Sequence, residues 1–177
     1  MNKTLLTFVL ALGVGAAACV QAQTPAAPAI NDAQIAHIAY TAGDIDIKTA
    51  KVALSKTQNA AIRAFANDMV RDHQAVNDKA LALVKKLGVT PEDNATSQAL
   101  VKQSDDERDQ LEKLSGAAFD KAYVDNEVAY HKTVDAALSS TLIPSSTNGE
   151  LKSLLQTGLK IFEGHLAHAE HLASMLN

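Results

Sequence analysis

The sequence contains no tryptophan, one cysteine and four prolines among 177 residues, and each scarcity removes a class of structure. With Cys19 as the lone cysteine, no disulfide can form within the chain, so the fold must rest on an apolar core. The prolines fall at Pro25, Pro28, Pro91 and Pro144, and between these points nothing interrupts helix. Basic residues occur singly or in pairs such as Lys85-Lys86. No nucleic acid is expected as a partner, because its backbone needs a basic stripe. No segment offers the ~20 consecutive apolar residues of a transmembrane helix, and no glycine-rich loop follows a strand to cradle a phosphate.

What is present begins with a leader. Lys3 supplies a positive start, Leu5 to Ala18 is apolar, and Val20-Gln21-Ala22 suits signal peptidase, so residues 1–22 read as a secretory signal peptide. Two fates compete for Cys19. It leaves with the signal, or it becomes the lipid-anchored first residue of a lipoprotein; the large aliphatic residue usual three positions ahead of such a cysteine is missing (Ala16), which favours removal. The expected location is periplasmic or secreted. Residues 23–31 form an Ala/Pro-rich linker, and 32–177 form one domain, about the size that a single core supports. Without Lys3 the chain carries 15 basic residues against 20 acidic ones.

Four amphipathic helices follow from the spacing of apolar residues. Asn31 with Gln34 makes a capping-box start for a first helix carrying Ile35, Ile38, Ala42, Ile45, Thr49 and Val52 to about Leu54. After a break at Ser55 to Asn59, a second helix carries Ile62, Phe65, Met69, Val76, Leu83 and Leu87, and Gly88 stops it. The short connection makes the pair an antiparallel hairpin. Val89 to Ser115 reads as a long crossover with short helices, with Thr90-Pro91 as one cap and Ser104/Glu107 as a box for a helix starting near Asp105. A third helix spans about Ala117 to Ser140, Thr141 to Gly149 is a loop, and a fourth helix runs from Leu151 nearly to the end. No period-two alternation supports a sheet. The fold class is all-α, an up-down four-helix bundle.

The core faces hold more polar groups than such a bundle needs. Asp46 falls on the apolar stripe of the first helix, His73 on the second with Asp72 at its edge, Glu127 and His131 one turn apart on the third, and His165 on the fourth. All lie near the middle of their helices, so antiparallel packing brings them to one level. Carboxylates and neutral imidazoles are ligands for Fe, Mn, Zn or Cu, and a metal offsets the cost of burying charge. His73, His131, His165, Glu127 and Asp46 are the candidate ligands, with Asp72 orienting an imidazole from outside. The alternative is a hydrogen-bonded layer that specifies packing without metal. His168 and His171 lie in the last turns, where imidazolium complements the helix dipole, and His37 and Asp44 point away from the stripe. No residue is singled out as catalytic, and no protein partner is identifiable.

Met69-Val70-Arg71-Asp72-His73, then Phe119-Asp120, Tyr123 and His131, then His165-Leu166 resemble, in that order, the bacterial domain-of-unknown-function 4142 family. The resemblance implies a ferritin-like four-helix bundle in an exported protein with no established activity, in which His73, His131 and His165 match recurrent histidines. Asp46 stands where the family usually has Glu, one methylene longer. A ferritin-type di-iron centre is not supported, because no helix carries Glu-x-x-His. The expected function is therefore an exported bundle holding a metal in its polar layer, or a structural or stress-related envelope protein whose layer only specifies packing.

Overall fold

The computed structural model describes residues 30–176. The signal peptide, the Cys19 question and all but the last two residues of the linker lie outside these residues. The described residues form helices α1 (Asp32–Lys56), α2 (Ala60–Leu87), α3 (Ala95–Glu112), α4 (Gly116–Ala137), α5 (Ile143–Ser145) and α6 (Gly149–Met175), with a π-helical turn, Leu138–Leu142, between α4 and α5. No strand occurs among them, and no helix is long and apolar enough to cross a membrane.

Helix starts follow local chemistry. Asn31 accepts a hydrogen bond from Gln34 N at 2.9 Å and Gln34 Oε1 accepts one from Asn31 N at 3.3 Å, the reciprocal box that leaves two of the orphan amides satisfied. Asn59 caps α2 by accepting from Ala61 and Ile62. Gly88 ends α2 with φ at +64°, a left-handed conformation that glycine adopts without steric cost.

The crossover differs from expectation. It holds one 18-residue helix rather than short pieces, and its cap is Asn94, which accepts from Thr96 and Ser97 while Ser97 Oγ receives the Asn94 amide at 3.1 Å. Serine here takes the place of the usual Glu or Gln. Ser104 is an interior residue whose hydroxyl accepts from Arg108 at 2.7 Å, and Thr90-Pro91 lies in the non-helical connection, where the next residue, Glu92, donates its amide to Ala33 O. The chain after α4 also departs from expectation. Helical backbone continues past Ser140 through the π turn into α5, because Pro144 sits in the first turn of α5, where its missing N–H costs little.

Packing places α1 against α2, α4 against α6, and α2 against α6, with α3 lying across α1. The apolar side chains divide into two clusters. One gathers Ala53, Ile62, Phe65, Met69, Phe119, Tyr123 and Leu172; the other gathers Ile35, Ile38, Val84, Leu138, Leu155 and Phe162. Along every long helix except α3 the clusters are separated by the same kind of step, a buried ionisable residue.

Gly43, unfavourable inside a helix, is explained by its neighbour. Buried Asn77 of α2 crosses α1 here and donates to Tyr40 O at 3.2 Å, and a Cβ on Gly43 would stand 2.4 Å from Asn77 Oδ1. Gly43→Ala is expected to lower the melting temperature, because displacing a buried amide costs about 1–3 kcal/mol and outweighs the ~1 kcal/mol gained by replacing glycine in a helix. In an Asn77→Ala background the same substitution should be neutral or stabilising; equal losses in both backgrounds would show that the Asn77 contact is not the cause.

Candidate metal centre

Between the two clusters, α1 contributes Asp46, α2 His73, α4 Glu127 and His131, and α6 His165. Their exposures are 1%, 2%, 1%, 1% and 7%. The five residues singled out by helical spacing are thus brought to one level. The three imidazole centroids form a nearly equilateral triangle, with His73–His131 at 5.7 Å, His73–His165 at 5.3 Å and His131–His165 at 5.5 Å. One ligand atom from each of these histidines lies within 4.8 Å of the others, and the same holds for Asp46, Glu127 and His131. Ligands at ~2.0–2.2 Å from one ion stand up to ~4.4 Å apart, so small side-chain adjustments close either set on an ion.

Hydrogen bonds at the rear of two rings define their tautomers. His131 Nδ1 lies 3.0 Å from Glu127 O; a carbonyl only accepts, so Nδ1 carries the proton and Nε2 offers its lone pair inward. His165 Nε2 lies 3.0 Å from Asp72 Oδ2, which leaves His165 Nδ1 as the free lone pair. Asp72 is itself gripped by Arg71, whose Nε and second guanidinium nitrogen donate to it at 2.8 and 3.0 Å. This grip, with the His165 contact, holds Asp72 below the usual carboxylate range despite partial burial. Metal-bound histidines share this pattern, donating the far N–H to a carbonyl or carboxylate.

The inward atoms, by contrast, lack partners. Asp46 Oδ1 and Oδ2, both His73 nitrogens, Glu127 Oε2, His131 Nε2 and His165 Nδ1 are buried without a hydrogen bond. His73 Nε2 and Asp46 Oδ2 approach to 2.8 Å, a polar contact that helps to hold Asp46 below its ordinary value. His131 Nε2 stands 3.4 Å from the same oxygen. Buried polar atoms are almost always bonded, and these exceptions fall on the same residues whose ligand atoms lie close enough together to hold an ion.

The two carboxylates differ in charge. Burial pushes Asp46 up, but His73, His131 and His165 outweigh it and hold the group at about 2. Burial, reinforced by the negative charge of Asp46, pushes Glu127 well above its ordinary value, which favours its protonated form. Burial lowers His131, and it lowers His165 to about 4 against the pull of Asp72, so both rings are neutral and competent to bind metal. Phe162 stacks on His73 at 4.4 Å with ring planes 6° apart, fixing that ring from the side of the second cluster.

Residues set aside in the sequence lie elsewhere. Asp44 pairs with Lys48 at 2.7 Å on the surface, His37 faces Asp93 at 3.9 Å, His168 meets the edge of Phe65, and His171 is exposed. Sequence reasoning missed Asp135, one turn beyond His131, whose two oxygens are buried without hydrogen bonds. The run Glu127, His131, Asp135 at steps of four was the available signal.

An all-α bundle with an imidazole and carboxylate cluster at the junction of two apolar clusters is the class these features define. The chain belongs to the family described as Domain of unknown function (DUF4142), which matches residues 17–172. Comparison with curated proteins and with solved structures gives no match.

Asp135 supplies a pH test. Burial, with the charge of Glu163 nearby, raises it to about 6, above its unfolded value of about 3.9. The ionised form is therefore disfavoured in the folded state; the cost is present above pH ~6 and is relieved as pH falls toward ~4. Asp135→Asn should raise the melting temperature by a few degrees at pH 7–8, with the gain shrinking through this window. A gain that is constant from pH 8 to pH 4 would show that the carboxylate charge is not responsible.

Proposed function

We propose that this protein is an exported ferritin-like four-helix bundle that holds one transition-metal ion in its mid-bundle layer. In this reading α1, α2, α4 and α6 are the bundle, and α3 lies in the long crossover between its second and third helices. The observation that carries the assignment is the opposite fate of the two ring nitrogens in His131 and His165: the outer one is hydrogen-bonded, and the inner one is buried and unpartnered. His73, His131, His165 and Asp46 are the ligands, Glu127 completes the set on losing its proton, and Asp72 orients His165. An imidazole-rich set of this kind suits Fe, Mn, Zn or Cu and disfavours Ca and Mg, which take oxygen ligands. Residues 1–22 direct export to the periplasm or beyond, and removal of this leader takes Cys19 with it.

A second reading is favoured by one observation. Asp46 already meets His73 Nε2 at 2.8 Å, so the layer has an internal attraction that specifies packing without metal. In that case the protein is a non-catalytic structural or stress-related envelope component.

Metal analysis of the purified, tag-free exported chain after exposure to Fe, Mn, Zn and Cu separates the two. The metal reading expects about one ion per chain, and clearly sub-stoichiometric content with every metal would sink it. Bound metal at a hundredfold excess over its dissociation constant adds ~2.7 kcal/mol of stability, which raises the melting temperature. His73→Leu should abolish that rise and also lower the stability of the metal-free protein, because it leaves the buried Asp46 carboxylate without its nearest partner; an undiminished metal-induced rise removes His73 from the ligand set.

Acid should release the ion. Metal binding requires neutral imidazole, and the metal-free fold itself disfavours protonated His165, held at about 4 against an ordinary value of 6.5. The unfolded chain therefore binds more protons between those values, and the stability of the metal-free protein should fall as pH drops from ~6.5 toward ~4. His165→Gln is expected to flatten this dependence. An unchanged slope would assign the acid sensitivity to other groups.

A further inference from the structure

A cavity of about 320 Å³ lies within the second apolar cluster. Its walls come from α1, α2, α6 and the α4–π segment, and α3 closes one side through Thr96 and Leu100. Ala36, Ala39, Ala42, Ala80, Ala137 and Gly158 line it where a close-packed core would carry larger side chains. Gly158 is informative because no steric need explains it. A Cβ there would meet Phe162 at 3.5 Å and Val76 at 3.8 Å, which is ordinary contact, and glycine inside a helix is unfavourable. What its absence preserves is space.

The lining also defines the chemistry of an occupant. Of the four polar side chains in the lining, Asn77, Thr96, Thr133 and Thr141, two spend their donors elsewhere: Asn77 Nδ2 donates to Tyr40 O and Thr133 Oγ1 donates to Ala129 O. The volume equals that of about ten waters, but each would need two to four polar partners that these walls do not supply. A charged ligand would be left without a counter-ion, and a polypeptide helix about 10 Å across exceeds the space. The size falls at the lower end for small-molecule sites.

We infer that this cavity is a binding site for one small, uncharged, apolar molecule with the bulk of a medium-length acyl chain or a pair of fused rings. Phe162 is one of its walls, and the same ring stacks on His73, so an occupant rests against the ring that braces the polar layer. The inference stands on the cavity and is independent of whether the layer binds metal.

The test is a fluorescence titration of the purified, chelator-treated protein with N-phenyl-1-naphthylamine, an uncharged apolar probe. The expected result is saturable, blue-shifted emission at one probe per chain, displaced by 1-decanol. Ala137→Leu, which fills the cavity, should weaken binding at least tenfold, whereas Ala167→Leu on the exposed face of α6 should leave it unchanged. Ala39→Leu on the α1 wall replaces Ala137→Leu if that variant does not fold. Absence of saturable binding, or equal affinity in the filled and wild-type proteins, overturns the inference.

Discussion

The structure depends on burying one carboxylate charge, that of Asp46, among three imidazoles. An ion moved from water into a protein interior loses several kcal/mol of hydration, and Asp46 is almost wholly buried. His73, the nearest partner of this charge at 2.8 Å, comes from α2, and His131 and His165 come from α4 and α6, so the layer forms only with all four helices at one level. A helix displaced by one turn, ~5.4 Å, would set the carboxylate against hydrocarbon and leave imidazoles facing apolar neighbours. The layer thereby sets helix register, and the two apolar clusters on either side of it supply the burial that drives folding.

The same arrangement makes the two carboxylates unequal. Against its burial, the neighbouring imidazoles, His73 foremost, hold Asp46 low, whereas burial and the adjacent Asp46 charge both push Glu127 up. The rear bonds of the histidines have different consequences. His131 is anchored to the backbone of its own helix, so its orientation follows α4 alone. His165 is anchored to Asp72 on α2, so its orientation reports the spacing of α2 and α6.

Much of this was legible in the sequence because it is written in local signals. Asn31 with Gln34, and Gly88 after an apolar stripe, act within one turn of the chain, and both lie where the spacing put them. The polar layer was legible for a related reason: a residue such as His73, set in a stripe of Met69 and Val76, is conspicuous without knowledge of its neighbours. The rest required partners distant in sequence. Asn94 was overlooked as a cap because Ser97, not Glu or Gln, returns its bond. Pro144 read as a stop, although it falls where a new helical turn begins. Gly43 is explained only by Asn77, on another helix, which needs the room, and a cavity is a property of five helices together.

Asp32, the first residue of α1, gives the end of the molecule a particular mechanics. Its carboxylate accepts from the amides of Thr147 and Asn148 at 2.9 Å and from Ser146 Oγ at 3.0 Å, clamping the start of α1 to the turn that precedes α6. A pull applied through the segment ahead of Ile30 meets this clamp before it reaches the hydrogen bonds of α1. Several bonds then share the load, and part of it passes into the turn that starts α6. A domain hung from its N-terminal segment would hold its interior undisturbed while that segment is under tension.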